Sequence, residues 1–278
     1  MTAARILVFD SGIGGFSVFN HIRETLPGLN SCYLMDNALF PYGIQADDVL
    51  TQRIILLCEK ACALYPIDMV VIACNTASTL VLPALRERLN IPVIGVVPAI
   101  KTAAHLSNSK HIALLATPAT INRSYIDQLI LDHGAGCLVT RIGSSELVKL
   151  AEDYWLNHST NINQSSFYDK TLAALLQPSL SPNPAIDQMV LGCTHFPIIA
   201  PLISRLFPNI NLVDSGEAIA RRVCYILNDL NYDLAEFNHH NVNDKNSHHL
   251  LVTAEITDKI GFLSACRRIA PYQSFNII

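Results

Sequence analysis

The sequence lacks a long apolar run, although half of its 278 residues are hydrophobic. No apolar stretch approaches the roughly 20 residues that a membrane-spanning helix needs. The apolar burst after Arg5 is four residues long and ends at Asp10, which is too short for the core of a signal peptide. Both absences argue against membrane insertion and secretion, and we therefore expect a cytoplasmic protein.

The chain also lacks an excess of basic residues. There are 19 Lys and Arg against 23 Asp and Glu, which gives a formal net charge of −4. Because binding to nucleic acid relies on clustered positive charge, we expect no nucleic-acid partner. The high apolar content excludes intrinsic disorder, and the length indicates one large or two small domains.

No CxxC pair occurs among the eight cysteines, so a zinc ribbon or a thioredoxin-like redox site is unsupported. In a large chain without secretory features, such cysteines are typical of buried thiols with a few reactive ones among them. The histidine pairs at 239–240 and 248–249 have no carboxylate or thiolate partner nearby in the sequence. We expect these histidines to be solvated and expect no metal site.

Short β-branched runs alternate with helical patterns through most of the chain. Strands are predicted at residues 5–9, 31–35, 68–73 and 93–97, and helices at 15–25, 47–64 and 76–89. The near-continuous apolar run at 68–73 is typical of a parallel strand that is covered on both faces. This alternation predicts an α/β protein with doubly wound, mostly parallel sheets.

The second half of the sequence repeats the first. Residues 67–74 align without a gap with 186–193, and residues 91–100 align with 210–219 at the same offset of 119. Nearer the start, residues 6–9 match 112–115 at an offset of 106, and Cys32–Leu34 match Cys137–Val139 at 105. Two matches at one offset favour duplication over chance.

The duplication predicts two pseudo-symmetric α/β domains with the active site in the cleft between them. The first comprises residues 1–97 and 209–278, with a C-terminal helical return, and the second comprises residues 98–208. The polar segment 157–170 absorbs the difference in offset and is expected to be a loop or a helix extension. The Asn- and His-rich stretch 229–247 is expected to loop over the surface.

Three loops follow predicted strands directly, where open α/β sheets bind their ligands. The loop at 10–15 (DSGIGG) lets the backbone approach a ligand and precedes a helix N-terminus, although its spacing is not the GxGxxG of dinucleotide sites. Cys74 ends a strand just before a helix, whose N-terminus stabilises a thiolate. Cys193 repeats this arrangement, and His195 follows two residues later as a proton-exchange partner.

Two thiols at equivalent positions of a duplicated fold suit the inversion of a carbon centre. One base removes a proton from one face of the carbon while an acid delivers a proton to the other face. Each thiol must be able to serve in either role for the reaction to run both ways. A redox disulfide is the alternative, but it leaves the polar residues that flank Cys74 and Cys193 without a role.

Four blocks carry a more specific resemblance. They are residues 10–15 (DSGIGG), 41–43 (PYG), 73–78 (ACNTAS) and 192–197 (GCTHFP). In this order they resemble the signature blocks of the glutamate racemase family, within the cofactor-independent aspartate/glutamate racemase superfamily, and the likeness runs from about residue 5 to about residue 228. The resemblance implies interconversion of L- and D-glutamate without cofactor or metal, which supplies D-glutamate for peptidoglycan synthesis.

By position, the resemblance implies Cys74 and Cys193 as the two acid/base residues. Asp10 would assist Cys74, and His195 and Glu152 would assist Cys193, although Glu152 also fits a solvated helix charge. The substrate-binding residues that the resemblance implies are Asp10, Ser11, Pro41, Tyr42, Gly43, Asn75, Thr76, Thr117, Thr120, Thr194 and His195. Around Thr117 the sequence is Ala116-Thr117-Pro118-Ala119, which departs from the more usual Gly-Thr-x-Gly.

Alternatives to a glutamate racemase remain open at this level. A sister racemase would act on aspartate or a hydantoin, a decarboxylase of the superfamily needs only one of the two cysteines, and a non-catalytic protein would bind an amino acid without turnover. The resemblance also implies a homodimer. Some family members carry an N-terminal extension that is linked to activation by a cell-wall precursor. Because Asp10 lies close to the start of this chain, we expect neither the extension nor the activation.

Overall fold

The computed structural model describes residues 4–157, 165–183, 185–237 and 247–278. The chain divides into two compact units. The first unit comprises Met1–Val96 and Gly216–Ile278, and the second comprises Val97–Ser215. Each unit is built around a parallel sheet, so the predicted α/β class with parallel sheets is confirmed.

The described residues form ten strands and eleven α-helices. The strands are β1 (Arg5–Asp10), β2 (Asn30–Met35), β3 (Met69–Ile72), β4 (Val93–Gly95), β5 (His111–Ala116), β6 (Leu138–Gly143), β7 (Gln188–Leu191), β8 (Asn211–Val213), β9 (His248–Val252) and β10 (Tyr272–Ile277). The helices are α1 (Phe16–Thr25), α2 (Asp47–Leu64), α3 (Asn75–Arg88), α4 (Ile100–Leu106), α5 (Pro118–Ile121), α6 (Ser124–His133), α7 (Glu146–Asn157), α8 (Ser165–Leu180), α9 (Ala200–Leu206), α10 (Gly216–Asp229) and α11 (Lys259–Arg267).

The first unit has a six-stranded sheet in the order β10-β9-β2-β1-β3-β4, in which every pair is parallel. Strands β2 and β3 are buried at every residue, as expected where both faces of a sheet are covered. Helices α2 and α3 pack on this sheet through the apolar stripe that includes Leu50, Ile54 and Leu85. Strand β1 pairs with β2 on one side and with β3 on the other. The strand order therefore reverses beside β1, which makes this edge a topological switch point.

The second unit has a four-stranded parallel sheet in the order β6-β5-β7-β8. Strand β8 pairs with β7 through Met189 and Leu212, so it belongs to this unit. The predicted boundary between residues 208 and 209 would have placed β8 in the first unit. In the structure the boundary lies between Ser215 and Gly216 because backbone pairing continues to the end of β8.

The two sheets share strand order and register where the sequence repeats. Ile6 pairs with Met69 in the first unit, and Ile112 pairs with Gln188 in the second, which reproduces the offsets of 106 and 119 read from the sequence. The exception is β2 and β6. Leu7 pairs with Cys32 and Ala113 with Thr140, so Cys32 corresponds to Thr140 and the expected match with Cys137 is wrong.

The C-terminal segment contributes more than a helical return. After α10, strands β9 and β10 extend the first sheet beyond β2, with α11 between them. His248 begins β9 and is buried, and its ring is hydrogen-bonded to Ser31 Oγ at 2.8 Å. The expectation of a solvated His248 is therefore wrong, because a buried side-chain partner compensates for the loss of water. His239 and His240 lie outside the described residues.

The polar segments that the sequence assigned to the surface are only partly described. Helix α8 begins at Ser165, so the helical interpretation holds for the end of segment 157–170, and residues 158–164 lie outside the described ranges. Within the described ranges no helix has the length and apolarity to cross a membrane. Over the same residues, no three His, Cys, Asp or Glu side chains form a group that could hold a metal ion.

Candidate active site

The candidate residues of the first unit lie at the carboxyl ends of β1, β2 and β3. Asp10 is the last residue of β1, and Cys74 follows β3 as the residue that caps α3. Both are buried, with Cys74 at 6% exposed. Because β1 and β3 are neighbours in the sheet, their carboxyl ends bring Asp10 and Cys74 to the same edge.

The loop after β1 is held close to the sheet. Gly12 N donates to Asp10 Oδ1 over 2.9 Å, and Tyr33 Oη donates to Gly12 O over 2.8 Å. A Cβ at Gly15 would lie 2.6 Å from Tyr33 Oη and 2.7 Å from Asp10 Cβ. Position 15 therefore requires glycine, and the close packing there fixes where Asp10 points.

Helix α3 presents polar side chains from its first turn. Asn75 and Thr76 directly follow Cys74 and are each 4% exposed. Asn75 Oδ1 is buried without a hydrogen-bond partner among the described residues. A buried acceptor in this state is suited to a donor from a ligand, such as an ammonium group, because leaving it unpaired is costly.

The loop after β2 carries the Pro-Tyr-Gly block. Pro41 and Tyr42 are buried and Gly43 is half-buried, and the turn at Tyr42–Ile44 is a short 3-10 helix. Tyr42 belongs to the same core cluster as Cys74. Its phenol donates to Asp36 Oδ2 over 2.7 Å. Sequence reasoning missed Asp36, although it follows β2 directly, as Asp10 and Cys74 end or follow their own strands.

The second unit brings Cys193, His195 and Glu152 together. Cys193 follows β7, and His195 lies in the turn before a 3-10 helix at Phe196–Ile199. Cys193 Sγ is 3.8 Å from His195 Nδ1, and His195 Nε2 is 2.9 Å from Glu152 Oε1 on α7. Glu152 is thus no solvated helix charge, since its carboxylate orients a buried imidazole.

The environment of His195 favours its charged form. Burial alone lowers the pKa of His195, but the hydrogen bonds to Cys193 and Glu152 outweigh burial and raise the pKa well above the ordinary value. A protonated His195 donates from both ring nitrogens, to the Glu152 carboxylate and toward the Cys193 sulfur. This chain of contacts can stabilise a thiolate or return a proton to it.

Thr117 directly follows β5, the neighbour of β7 in the sheet, and Thr120 lies in the short helix α5. Thr117 caps α5, and its Oγ1 is 2.9 Å from Thr120 Oγ1. Pro118 occupies the first helical turn, where its fixed backbone is well accommodated. The turn therefore forms with Ala116 and Ala119 in place of the usual glycines. Thr194 is buried next to Cys193.

The two units supply their carboxylates differently. The register places Ala116 at the position equivalent to Asp10, so β5 carries no acid at its end. In the second unit the carboxylate comes from Glu152 on α7 instead. The cysteines are equivalent in position, whereas the groups that support them are not.

The sequence matches the family model described as Asp/Glu/Hydantoin racemase over residues 6–223. The chain therefore belongs to the Asp/Glu/Hydantoin racemase family, and the resemblance found in its sequence blocks is confirmed.

Glutamate racemases are among the relatives found within that family. The one from Shewanella pealeana is 48% identical over 91% of this chain and 90% of its own, and the one from Glaesserella parasuis is 40% identical over 92% and 94%. The crystal structure of Escherichia coli glutamate racemase in complex with L-glutamate and the activator UDP-MurNAc-ala is 36% identical, with a TM-score of 0.86 over 99% of this chain and 98% of that one.

Proposed function

We propose that the protein interconverts L-glutamate and D-glutamate without a cofactor, with Cys74 and Cys193 as the two acid/base residues. The observation that carries this proposal is the placement of both cysteines. Each lies two residues after the end of a strand, β3 or β7, that holds the equivalent place in its sheet, and each lies beside a supporting set of polar side chains. Racemisation of glutamate agrees with family membership and with the glutamate racemases among the relatives.

In the forward direction, the thiolate of one cysteine takes the Cα proton of glutamate. The thiol of the other cysteine then donates a proton to the opposite face of the same carbon, and its own sulfur becomes the thiolate. One proton leaves Cα and one arrives, so no net oxidation or proton uptake occurs. In the reverse direction the two residues exchange roles. The N-terminus of α3 favours the thiolate of Cys74, and protonated His195 favours the thiolate of Cys193.

Polar side chains and backbone groups would hold the substrate. We assign this role to Asp10, Ser11, Pro41, Tyr42, Gly43, Asn75, Thr76, Thr117, Thr120, Thr194 and His195. The unpaired Oδ1 of Asn75 suits the α-ammonium group, and hydroxyls with backbone N–H groups at helix starts suit the two carboxylates. The Cα proton of an amino acid is very weakly acidic, so each preorganised donor must stabilise the carbanion-like transition state, by roughly 3 to 4 kcal/mol.

The decisive experiment is incubation with each glutamate enantiomer in deuterium oxide. A two-base racemase incorporates deuterium at Cα as the opposite enantiomer forms, and chiral chromatography with mass spectrometry reads both changes. Absence of deuterium at Cα from either enantiomer would reject the proposal. Faster turnover of aspartate than of glutamate would replace the substrate, and binding without exchange would indicate a non-catalytic protein.

The same proposal carries the cellular role. D-Glutamate is needed for peptidoglycan, so the protein would supply cell-wall synthesis. We propose that it acts in the cytoplasm as a homodimer, and sedimentation at several concentrations tests the dimer. The Escherichia coli relative was solved with the activator UDP-MurNAc-ala. A rise in turnover of this chain with that compound would overturn the expectation that such activation is absent.

A further inference from the structure

The Asp36 carboxylate joins three side chains of the first unit. Tyr42 Oη donates to Oδ2 over 2.7 Å, and Thr253 Oγ1 donates to Oδ1 over 2.5 Å. Arg53 donates to both oxygens, from Nε over 2.6 Å and from Nη2 over 2.7 Å. Each oxygen of this fully buried carboxylate therefore accepts two hydrogen bonds.

The three partners come from separate parts of the chain. Tyr42 belongs to the Pro-Tyr-Gly turn, Arg53 lies on α2, and Thr253 directly follows β9 in the C-terminal segment. Asn37 reinforces the last connection, since its Oδ1 accepts from Thr253 N over 2.9 Å and from Ala254 N over 3.0 Å. The start of the turn and the end of β9 are thus bonded through both side chain and backbone.

Burial and charge make the position of Tyr42 depend on Asp36. Burial raises the pKa of Tyr42 and the neighbouring Asp36 charge raises it further, so the phenol keeps its proton and donates it. The hydrogen bond to Asp36 raises the pKa of Arg53, which stays charged and balances the buried carboxylate. A buried Tyr42 hydroxyl turned away from Asp36 would lose its acceptor.

We propose that Asp36 is a positioning residue for substrate binding, which fixes Tyr42 and ties its turn to the C-terminal strand through Thr253. The inference rests on the proposed function in one respect, that Tyr42 and Gly43 contact the substrate. Because both oxygens of Asp36 are already occupied, it acts through Tyr42 and not on the substrate itself. The C-terminal segment, which carries no recognisable motif, thereby controls substrate affinity from outside the site.

The mildest test removes one hydrogen bond and leaves the charges in place. Thr253→Val keeps the shape of the side chain but loses the donor to Asp36, whereas Thr253→Ser keeps the donor. We expect Thr253→Val to raise the KM for glutamate about fivefold with kcat within about twofold of wild type, as the loss of one hydrogen bond to a charged group allows. Thr253→Ser should restore the wild-type KM.

A matched control separates positioning from general loss of stability. Thr25→Val at the end of α1 removes a hydroxyl that donates only to His21 O over 2.8 Å, and it should leave KM unchanged.

A double-mutant cycle with Tyr42→Phe extends the test. If Asp36 transmits the effect, Thr253→Val should change KM much less in the Tyr42→Phe background than in wild type. Additive effects on KM would overturn the proposal.

Hydrogen exchange supplies a readout that does not depend on the substrate. Gln45 N donates to Tyr42 O over 3.1 Å, so its amide reports the order of the turn. We expect faster exchange in a peptide covering residues 37–45 for Thr253→Val than for Thr253→Ser or Thr25→Val. If wild type does not racemise glutamate, the proposed function fails while this comparison still decides the inference. Unchanged exchange in Thr253→Val would overturn it.

Discussion

His195 Nε2 lies 2.9 Å from Glu152 Oε1, and this contact aims the opposite nitrogen of the imidazole at the Cys193 sulfur. The histidine is 2% exposed, so the Glu152 carboxylate helps to compensate for the water that a charged imidazole loses on burial. The relationship joins α7 to the loop after β7, two elements that lie far apart in the sequence.

Glu152→Gln should lower the pKa of His195, because it removes the charge that favours the imidazolium. His195 has a higher pKa in the folded chain than its unfolded value of about 6.5. Its stabilisation is therefore complete below that value and is lost as the pH rises through the folded pKa. We expect Glu152→Gln to cost about 1–3 kcal/mol at pH 6 and less at pH 9, as measured by urea unfolding.

The control for this change is Glu146→Gln, an exposed position on the same helix. It should cost less than about 0.5 kcal/mol at either pH. A cost of Glu152→Gln that is equal at pH 6 and pH 9 would show that Glu152 does not raise the pKa of His195. The same outcome would remove the role proposed for Glu152 in keeping His195 protonated beside Cys193.

Cys74→Ser and Cys193→Ser should each lower racemisation by about 10² to 10⁴, because a hydroxyl is a much weaker acid than a thiol. Each variant keeps one of the two proposed acid/base thiols, so it should still eliminate a leaving group from one enantiomer of a β-substituted analogue. Cys224→Ser, at a half-buried position on α10, is the control and should stay fully active. Retention of racemisation in either active-site variant would make these cysteines ordinary core residues.

Gly15→Ala should destabilise the first unit by about 1–3 kcal/mol, as overpacking does. The new methyl group would meet Tyr33 Oη at 2.6 Å and Asp10 Cβ at 2.7 Å, so Asp10 must move. We expect kcat to fall together with the melting temperature. Glu24→Ala, exposed on α1, should change neither. A Gly15→Ala protein of normal stability and activity would contradict the tight packing of this loop.

Asp187→Asn should weaken the second unit in a pH-dependent way. Burial raises the pKa of Asp187, but hydrogen bonds from Ser107 and from the backbone of Asn108 and Ser109 outweigh it and lower the pKa to about 2. Stabilisation by the carboxylate is therefore present above the unfolded pKa of about 4 and is lost as the pH falls toward 2.

We expect Asp187→Asn to cost about 1–2 kcal/mol at pH 7 and progressively less below pH 4. Chemical unfolding at several pH values measures this difference. Asp132→Asn removes an exposed carboxylate that accepts only from Gln128 over 2.7 Å, and it should have little effect at any pH. A cost of Asp187→Asn that does not change between pH 7 and pH 3 would contradict the lowered pKa.

Local patterns predicted most of the fold near the repeated strands. Helix α2 occupies the predicted residues, and the registers of β1 with β3 and of β5 with β7 follow the two offsets in the sequence. Prediction failed where the pattern was polar. Strand β9 begins with His248 and His249, and only the partner groups of Ser31 and Ser274 make such residues compatible with a sheet.

The sequence by itself determined the α/β class, the duplicated strands, the family and the two cysteines that follow equivalent strands, because apolar periodicity and motif blocks are local properties of the chain. Only the tertiary structure decided which groups support those cysteines. The contact of Glu152 with His195 spans 43 residues, and the contact of Asp36 with Thr253 spans 217. Such pairs arise from packing between distant elements, which a local pattern does not encode.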